Sequence, residues 1–479
     1  MKRQIEVMQV LDLQEKNKLI ITKDIFRAYD IRGVYPEQIN EDVYTILGKA
    51  IGTYIKNQNA GTEVCICADG RLSSPTLKKS LIEGLISTGI DVVDIGLLPT
   101  PLLNFSLKKL NIKNGLMITG SHNPKNYNGI KMVVNNITLY GEYIKEIFEI
   151  ADKGQFLYGQ KGSIKNDSTI LESYITKLID TLDIDFNHTV SIDCGNGITG
   201  NVVRKIFDAL KIKTKIINEK VDGNFPNHSP NPSDEKNLAE LKKILSDSDS
   251  MIGFAYDGDG DRIAAVRRNG KVLWPDQLMM IFSKSILNDY QGAKIVYDIK
   301  CSKHLEKEII KNGGVPILCR TGHSFIKKAI IDNHAALGGE LSGHIFFADK
   351  WDGFDDGIYS SLRLLEILGK YQNIDEPLDK LPKTVITPEI NIEFKGNNHF
   401  TFMELFVKLA KFENANIINI DGMKIIFENG WALIRCSNTS ANLVLRFEAD
   451  DGKSLRYIKN LVQEQINKVD DKIKINIIE

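Results

Sequence analysis

Three times along the chain the same order of elements returns, and this repetition constrains the fold more than any single residue does. Each round opens on a short apolar, β-rich run: Val64 to Ala68 (VCICA), Val190 to Cys194 (VSIDC) and Ile295 to Ile299 (IVYDI). A helix-like stretch follows, then a second strand at Val92 to Ile95, Thr214 to Ile217 or Val315 to Cys319, and then a third apolar run ending in a polar loop that contains glycine. The loops read TGSHNP, DGDGDR and GELSGH. Strands alternating with helices predict layered α/β domains with mostly parallel sheets, because a parallel neighbour is laid down only after a crossover, usually a helix. Ligands of open α/β sheets gather at strand ends, so the three corresponding loops are expected to serve one cleft.

After Pro382 the pattern changes. Strand-like segments at Val385 to Phe394, Gly422 to Phe427, Trp431 to Arg435 and Asn442 to Glu448 bracket an amphipathic stretch around Phe402 to Phe412, which predicts a smaller α+β unit. At roughly 150 residues per domain the length gives about three domains; the altered tail adds a fourth. The expected boundaries are 1–166, 167–269, 270–382 and 383–479.

The charge balance narrows the partners. Lys and Arg total 61 against 62 Asp and Glu, for a formal charge of -1, which lacks the basic excess of a nucleic-acid binder. The six cysteines form neither a secreted framework nor a CxxC pair, as expected in a reducing cytoplasm. Cys65 and Cys67 share one face of a strand and are read as core. The N-terminal MKRQIEVMQVLDLQEKNKLIITKD mixes charge into its apolar residues, and no later run approaches membrane-spanning length, so neither a signal peptide nor a membrane partner is expected.

Within DGDGDR, between the apolar runs MIGFAY and IAAV, Asp257, Asp259 and Asp261 place three carboxylates where they repel unless a hard divalent cation compensates them. Gly258 and Gly260 let the loop fold so that all three converge. An EF-hand is disfavoured because Arg262 and Arg268 stand at the loop positions that need Gly and Glu. A haloacid-dehalogenase-type nucleophile loop fails at Asp261. Mg²⁺ is favoured over Ca²⁺, since few protein ligands leave room for a phosphate oxygen. In TGSHNP, Ser121 has His122 beside it and Lys131 a short loop downstream, a set able to hold a phosphorylated serine; no triad or GxSxG elbow accompanies it. In GELSGH, Glu340, Ser342 and His344 alternate as acceptor, hydroxyl and imidazole, which suits a polyhydroxylated ligand. Arg435, Ser437, Asn438 and Thr439 in RCSNTS can form a phosphate-binding loop, and Arg27, Tyr29, Asp30 and Arg32 in FRAYDIRG add two guanidinium groups. His188, His304, His334 and His399 are read as structural or surface residues.

With FRAYDIRG, TGSHNPKNYNGIK, VDGNFPNHSPNPS, DGDGDR, RTGHSFIKK, GELSGH and RCSNTSANLVLRFEA in that order, the sequence resembles the alpha-D-phosphohexomutases over essentially its whole length, and most of all the bacterial phosphomannomutase/phosphoglucomutase group. The resemblance implies three related α/β domains with mixed sheets and a smaller C-terminal α+β domain, heart-shaped around one central cleft. It implies that Ser121 carries the phosphoryl group and, with Asp257, Asp259 and Asp261, binds Mg²⁺. His122, Lys131 and Arg262 steady the phosphate, and Glu340 and Ser342 hold sugar hydroxyls. Arg435, Ser437, Asn438 and Thr439, helped by Tyr29 and Arg32, grip the phosphate that is not transferred. Lys300, His323 and His344 match positions lining the cleft, His344 as a proton shuttle. The implied reaction is reversible transfer between the 1- and 6-positions of a hexose phosphate, with a hexose 1,6-bisphosphate as intermediate and activator; separately, the protein is expected to be cytoplasmic and monomeric. A phosphoglucosamine mutase, a metal-dependent phosphatase using Asp257 as nucleophile, and a non-catalytic phosphosugar-binding paralogue are the alternatives. The phosphate loop departs from the group where it reads Thr439, Ser440, Ala441, and the leader before Phe26 is longer than in many relatives.

Overall fold

The computed structural model describes residues 21–394, 398–437 and 441–475; the phosphate-loop residues Asn438 and Thr439, and most of the leader, lie outside this range. The strands number β1 (Ile31–Val34), β2 (Glu63–Ala68), β3 (Asp91–Leu97), β4 (Gly115–Ile118), β5 (Tyr127–Val134), β6 (Ile137–Thr138) and β7 (Ile164–Asn166) in the first domain, then β8 (Val190–Asp193), β9 (Thr214–Ile217), β10 (Ile252–Tyr256), β11 (Ile263–Arg267) and β12 (Val272–Leu273) in the second. The third carries β13 (Lys294–Asp298), β14 (Val315–Cys319), β15 (Leu337–Gly339) and β16 (Ile345–Phe347). The last carries β17 (Val385–Ile386), β18 (Ile390–Glu393), β19 (Asn416–Ile418), β20 (Met423–Phe427), β21 (Gly430–Cys436) and β22 (Asn442–Ala449).

The chain divides into two compact units, one running to Pro275 and including Ser342–Gln372, the other made of Asp276–Leu341 and Asn373 onward. In the first unit, one sheet runs β1-β5-β4-β2-β3-β7 with β6 on β5, and the other runs β12-β11-β10-β8-β9. Both are mixed: β2 pairs in parallel with β3 and β4, and β8 with β9 and β10, whereas β4–β5 and β10–β11 are antiparallel hairpins. These two hairpins matter for the chemistry, since TGSHNP and DGDGDR are their connections. The first domain's core forms where helix Glu41–Asn57, capped by the Asn40 side chain accepting from the Val43 amide, lies with helix Ser74–Ser87 over the buried faces of β2 and β4. Cys65 and Cys67 are core residues, as read, against Ser106 and Met117.

Ser342–Gln372 belongs to the first unit for a physical reason. Trp351 stacks on Tyr359 with centroids 4.3 Å apart and meets Tyr174 edge-on at 5.6 Å, while the Tyr174 hydroxyl donates to Asp356 at 2.8 Å. Asp356 also caps helix Gly357–Leu368, its other oxygen accepting from the Tyr359 amide. Every residue of that helix is buried, and its charged members are paired, Arg363 with Asp349 at 2.9 Å and with Glu366 at 3.1 Å.

In the second unit, β14, β13 and β15 are parallel. The C-terminal sheet, β17-β22-β21-β20-β19 with β18 also on β22, is antiparallel and covered by helices Asn398–Leu409 and Gly452–Asn467. The strand expected over Val385 to Phe394 is two strands. Pro388 has no amide hydrogen to donate and sits between them, where Thr387 turns back to pair with Phe447.

Candidate active site

The serine loop is built by a buried cation. Directly after β2, Asp69 and Arg71 turn inward with side chains essentially out of solvent. Arg71 Nη2 donates to the carbonyls of Ser121 and Asn123, both at 2.7 Å, and Nη1 to those of Pro124 (2.6 Å) and Tyr127 (2.9 Å). Its Nε is held by Asp69 at 3.1 Å. The same aspartate accepts from the Thr119 hydroxyl and the Gly120 amide, and Thr119 Oγ1 accepts the Ser121 amide at 2.7 Å. This scaffold keeps Ser121 at φ +48, a left-handed conformation that costs a non-glycine residue about 1–3 kcal/mol. Asp69 and Arg71 are absent from the residues expected from sequence, although the polar ADGR follows an apolar strand as the other loops do.

The strained serine faces the aspartate loop. Ser121 Oγ donates to Asp257 Oδ2 at 2.8 Å and lies 3.2 Å from His122 Nδ1. Gly258 has no room for a side chain, since a Cβ there would stand 2.5 Å from the Ser121 carbonyl oxygen, and Gly260 turns at φ +76. Asp257, Asp259 and Asp261 are fully buried with their ligand oxygens within 4.8 Å of one another. Lys131, brought alongside by β5, donates to Asp259 Oδ2 at 2.6 Å and to Asp261 Oδ2, and Thr100 Oγ1 donates to Asp259 at 2.6 Å. Asp259 Oδ1 and Asp261 Oδ1 remain buried with no hydrogen-bond partner. Two such oxygens in an all-oxygen site fit a hard divalent cation.

Electrostatics divide the roles. Burial, then the charges of Asp261 and Asp259, push the Asp257 carboxyl well above its ordinary range. Asp259 is held low despite its burial, because Lys131 lies against it. Burial and the cations Arg262, Arg32 and Lys131 drive the His122 imidazole well below its usual value, so it stays neutral beside Ser121. Arg262 Nε donates to His344 Nε2 at 3.0 Å, and His344 Nδ1 lies 3.1 Å from Asp355 Oδ2. Because guanidinium can only donate, Nε2 supplies the lone pair and Nδ1 carries the hydrogen toward Asp355. Arg32 is tied to Asp30 at 3.0 Å and to Asn123 of the serine loop at 3.1 Å, so it stands beside the serine loop. The first unit thus gathers Ser121, His122, Lys131, the three aspartates, Arg262, His344 and Arg32. Tyr29 and Ser342 belong to it as well, and the Ser342 carbonyl accepts from Ser233 at 3.1 Å.

The second unit gathers the other predicted residues. Lys300 pairs with Glu389 at 2.9 Å, while its carbonyl accepts from Arg446 at 2.8 Å. Burial alone would lower the Lys300 ammonium, but Glu389 and Asp298 raise it. The flanking carbonyls of Ile299 (2.7 Å) and Cys301 (3.2 Å) bind Lys424, which burial depresses to about 8. Glu340 accepts the Gly322 amide, next to His323 at the start of helix His323–Asn333. Arg435 is buried against Asp421 at 3.0 Å. Glu389, Asp421 and the carbonyl-binding pair Arg446 and Lys424 carry no motif in the sequence that marks them.

The four domain models of the phosphoglucomutase/phosphomannomutase family, the alpha/beta/alpha domains I, II and III and the C-terminal domain, match residues 23–158, 172–270, 274–385 and 389–465 in order. The chain belongs to this family. It is 42% identical over 451 residues to a phosphomannomutase/phosphoglucomutase of Pseudomonas syringae pv. tomato, covering 94% of this chain and 96% of that one. It is 40% identical over 442 residues to a phosphoglucomutase of Neisseria gonorrhoeae, covering 92% and 96%. Among solved structures, a phosphoglucomutase/phosphomannomutase family protein from Burkholderia thailandensis superposes with a TM-score of 0.90 at 35% identity, over 95% of this chain and 99% of that chain. An N-acetylphosphoglucosamine mutase from Aspergillus fumigatus shares the fold at a TM-score of 0.62 and 13% identity. As the family requires, the described chain combines mixed α/β sheets with a C-terminal α+β domain. No helix among the described residues is long and apolar enough to cross a membrane.

Proposed function

We propose that the protein interconverts the 1- and 6-phosphates of an aldohexose, with mannose and glucose phosphates as substrates. The observation that carries this reading is Ser121, held in a strained conformation with Oγ 2.8 Å from Asp257 among three buried aspartates and Lys131. The relatives named for the same reaction support it.

In the forward half-reaction, phosphoserine at 121 gives its phosphoryl group to the free hydroxyl of a bound hexose 1-phosphate. The Oγ–P bond breaks, the sugar O–P bond forms, and the hydroxyl proton leaves to a base, giving the hexose 1,6-bisphosphate. The bisphosphate then reorients and returns its other phosphoryl group to Ser121, and free bisphosphate would also prime unphosphorylated enzyme. Lys131 and Arg262 supply positive charge where the transferring oxygens gather it, which is the main lever in phosphoryl transfer. A divalent cation, Mg²⁺ in this reading, would be held by Asp257, Asp259, Asp261 and a phosphoserine oxygen, and would supply further charge compensation. His344 is the group we assign to the hydroxyl proton: Asp355 fixes its tautomer, and Nε2 becomes available once Arg262 turns to the phosphate. Glu340 and Ser342 take sugar hydroxyls. Arg435 and Ser437, with Lys300 and His323, hold the phosphate that stays, and Asn438 and Thr439 complete that loop. We place the enzyme in the cytoplasm as a monomer, with no nucleic-acid or membrane partner.

The test incubates purified protein with Mg²⁺, a trace of hexose 1,6-bisphosphate and, separately, mannose, glucose and glucosamine 1-phosphates. Formation of mannose and glucose 6-phosphates is expected. No 6-phosphate from any sugar refutes the mutase reading; preferential turnover of the amino sugar reassigns the substrate. Release of inorganic phosphate that survives Ser121→Ala points to a phosphatase.

A further inference from the structure

The phosphate grip in the second unit depends on a residue outside its loop. Asp421, in the turn before β20, is almost fully buried. Its Oδ2 accepts from Arg435 Nε at 3.0 Å, and Oδ1 lies 3.4 Å from Nη2. A planar guanidinium has two edges that can each hold an oxyanion, Nε–Nη2 and Nη1–Nη2; Asp421 occupies the first, which leaves the second as the edge on which a phosphate can sit. The same Oδ2 accepts the Thr321 amide at 3.2 Å, and the next amide, Gly322, is given to Glu340. Two successive amides, one residue before His323, therefore each hold a carboxylate, one belonging to the sugar loop and one reaching Arg435. The turn is pressed against its target as well, since a Cβ on Gly422 would stand 2.2 Å from the Ile434 carbonyl oxygen and 2.6 Å from Arg435 Cβ.

We propose that Asp421 is a positioning residue for phosphate binding: it clamps one edge of Arg435 and, through Thr321, sets Arg435 in register with the turn that carries His323 and binds Glu340. The inference rests on Arg435 gripping the ligand's phosphate, and the experiment separates the two claims.

Binding of glucose 1-phosphate and mannose 1-phosphate is measured calorimetrically in a Ser121→Ala background, where no turnover occurs, for Arg435→Ala, Asp421→Asn and the double variant. Loss of a charge-assisted contact predicts about a tenfold weaker affinity for each single variant. Because Asp421 acts through Arg435, the double variant is expected to match Arg435→Ala within about twofold. Asp421→Asn binding like the parent overturns the proposal, as does a double variant whose loss is the product of the two single losses. Arg435→Ala binding like the parent overturns the underlying phosphate assignment instead. If Asp421→Asn fails to fold, Arg435→Lys carries the test: an ammonium cannot present one edge to a carboxylate and another to a phosphate, so it should bind as weakly as Arg435→Ala, and parental affinity overturns the proposal.

Discussion

Replacing Arg71 with lysine tests how the nucleophile is held. The guanidinium makes four hydrogen bonds to loop carbonyls and one ion pair to Asp69. An ammonium has three donors; with one spent on Asp69, at most two of the four carbonyls keep a partner. The Pro124 carbonyl also accepts the Tyr127 amide, so one or two acceptors are left unmatched; at about 1–3 kcal/mol each, Arg71→Lys should destabilise the first unit by about 1–6 kcal/mol. The chemical effect should be larger than the thermal one implies. Two of the carbonyls belong to Ser121 and Asn123, and a displacement of about 1 Å at the reacting oxygen can cost about 100-fold in rate. The expected result is a melting temperature lowered by several degrees, KM within about threefold of the parent and kcat down about 100-fold. The assay is 1-phosphate to 6-phosphate conversion read through a coupled dehydrogenase, with folded fraction from calorimetry on the same sample. A variant with parental kcat, or one whose kcat falls only in proportion to lost folded protein, would show that Arg71 does not position Ser121.

Other consequences follow from the same geometry. Gly258→Ala places a methyl 2.5 Å from the Ser121 backbone carbonyl oxygen, which cannot swing aside as a side chain could, and should lower kcat about 100-fold in the coupled assay while the circular dichroism spectrum is unchanged. Chelation should abolish turnover and added Mg²⁺ restore it, and Asp259→Asn should weaken Mn²⁺ binding at least about tenfold by calorimetry; Mn²⁺ affinity equal to the parent's would contradict the metal assignment. Burial raises the Asp356 carboxyl to about 7, above its unfolded value near 3.9, so the stability it contributes is fully present below about pH 4 and is lost as pH rises toward about 7. At pH 8 that loss approaches about 4 kcal/mol. Asp356→Asn, whose amide oxygen can still cap Tyr359, should therefore melt higher than the parent at pH 8, with the difference shrinking toward pH 5; a lower melting temperature at pH 8 would count against it.

The residues we assign to the chemistry carry a signal in the sequence, whereas the residues that hold them carry none. Asp257, Asp259 and Asp261 announce themselves because three carboxylates with intervening glycines make little sense without a cation, and the structure puts them on the β10–β11 connection with buried unpaired oxygens. Ser121 could be picked out only with His122 and Lys131 beside it. Arg71 acts on backbone carbonyls some fifty positions away, a contact to which any side chain at the far end is indifferent, so no local pattern reports it. Asp421 reaches Arg435 and the distant Thr321 amide in the same way. The fold shows the same limit: the succession of strands along the chain could be read from apolar runs, but the attachment of Ser342–Gln372 to the first unit depends on Trp351 meeting Tyr174 and Tyr359, and Pro388 divides a run that looked like one strand.

Mutase chemistry at this site requires that Ser121 carry the transferred phosphoryl group. Protein incubated with hexose 1,6-bisphosphate bearing radiolabelled phosphate, then digested and mapped, tests it most directly. Label is expected on the peptide containing Ser121, with its discharge on adding hexose 1-phosphate and neither label nor turnover in Ser121→Ala. Turnover by Ser121→Ala at the parental rate, or stable label on any other residue, would contradict it.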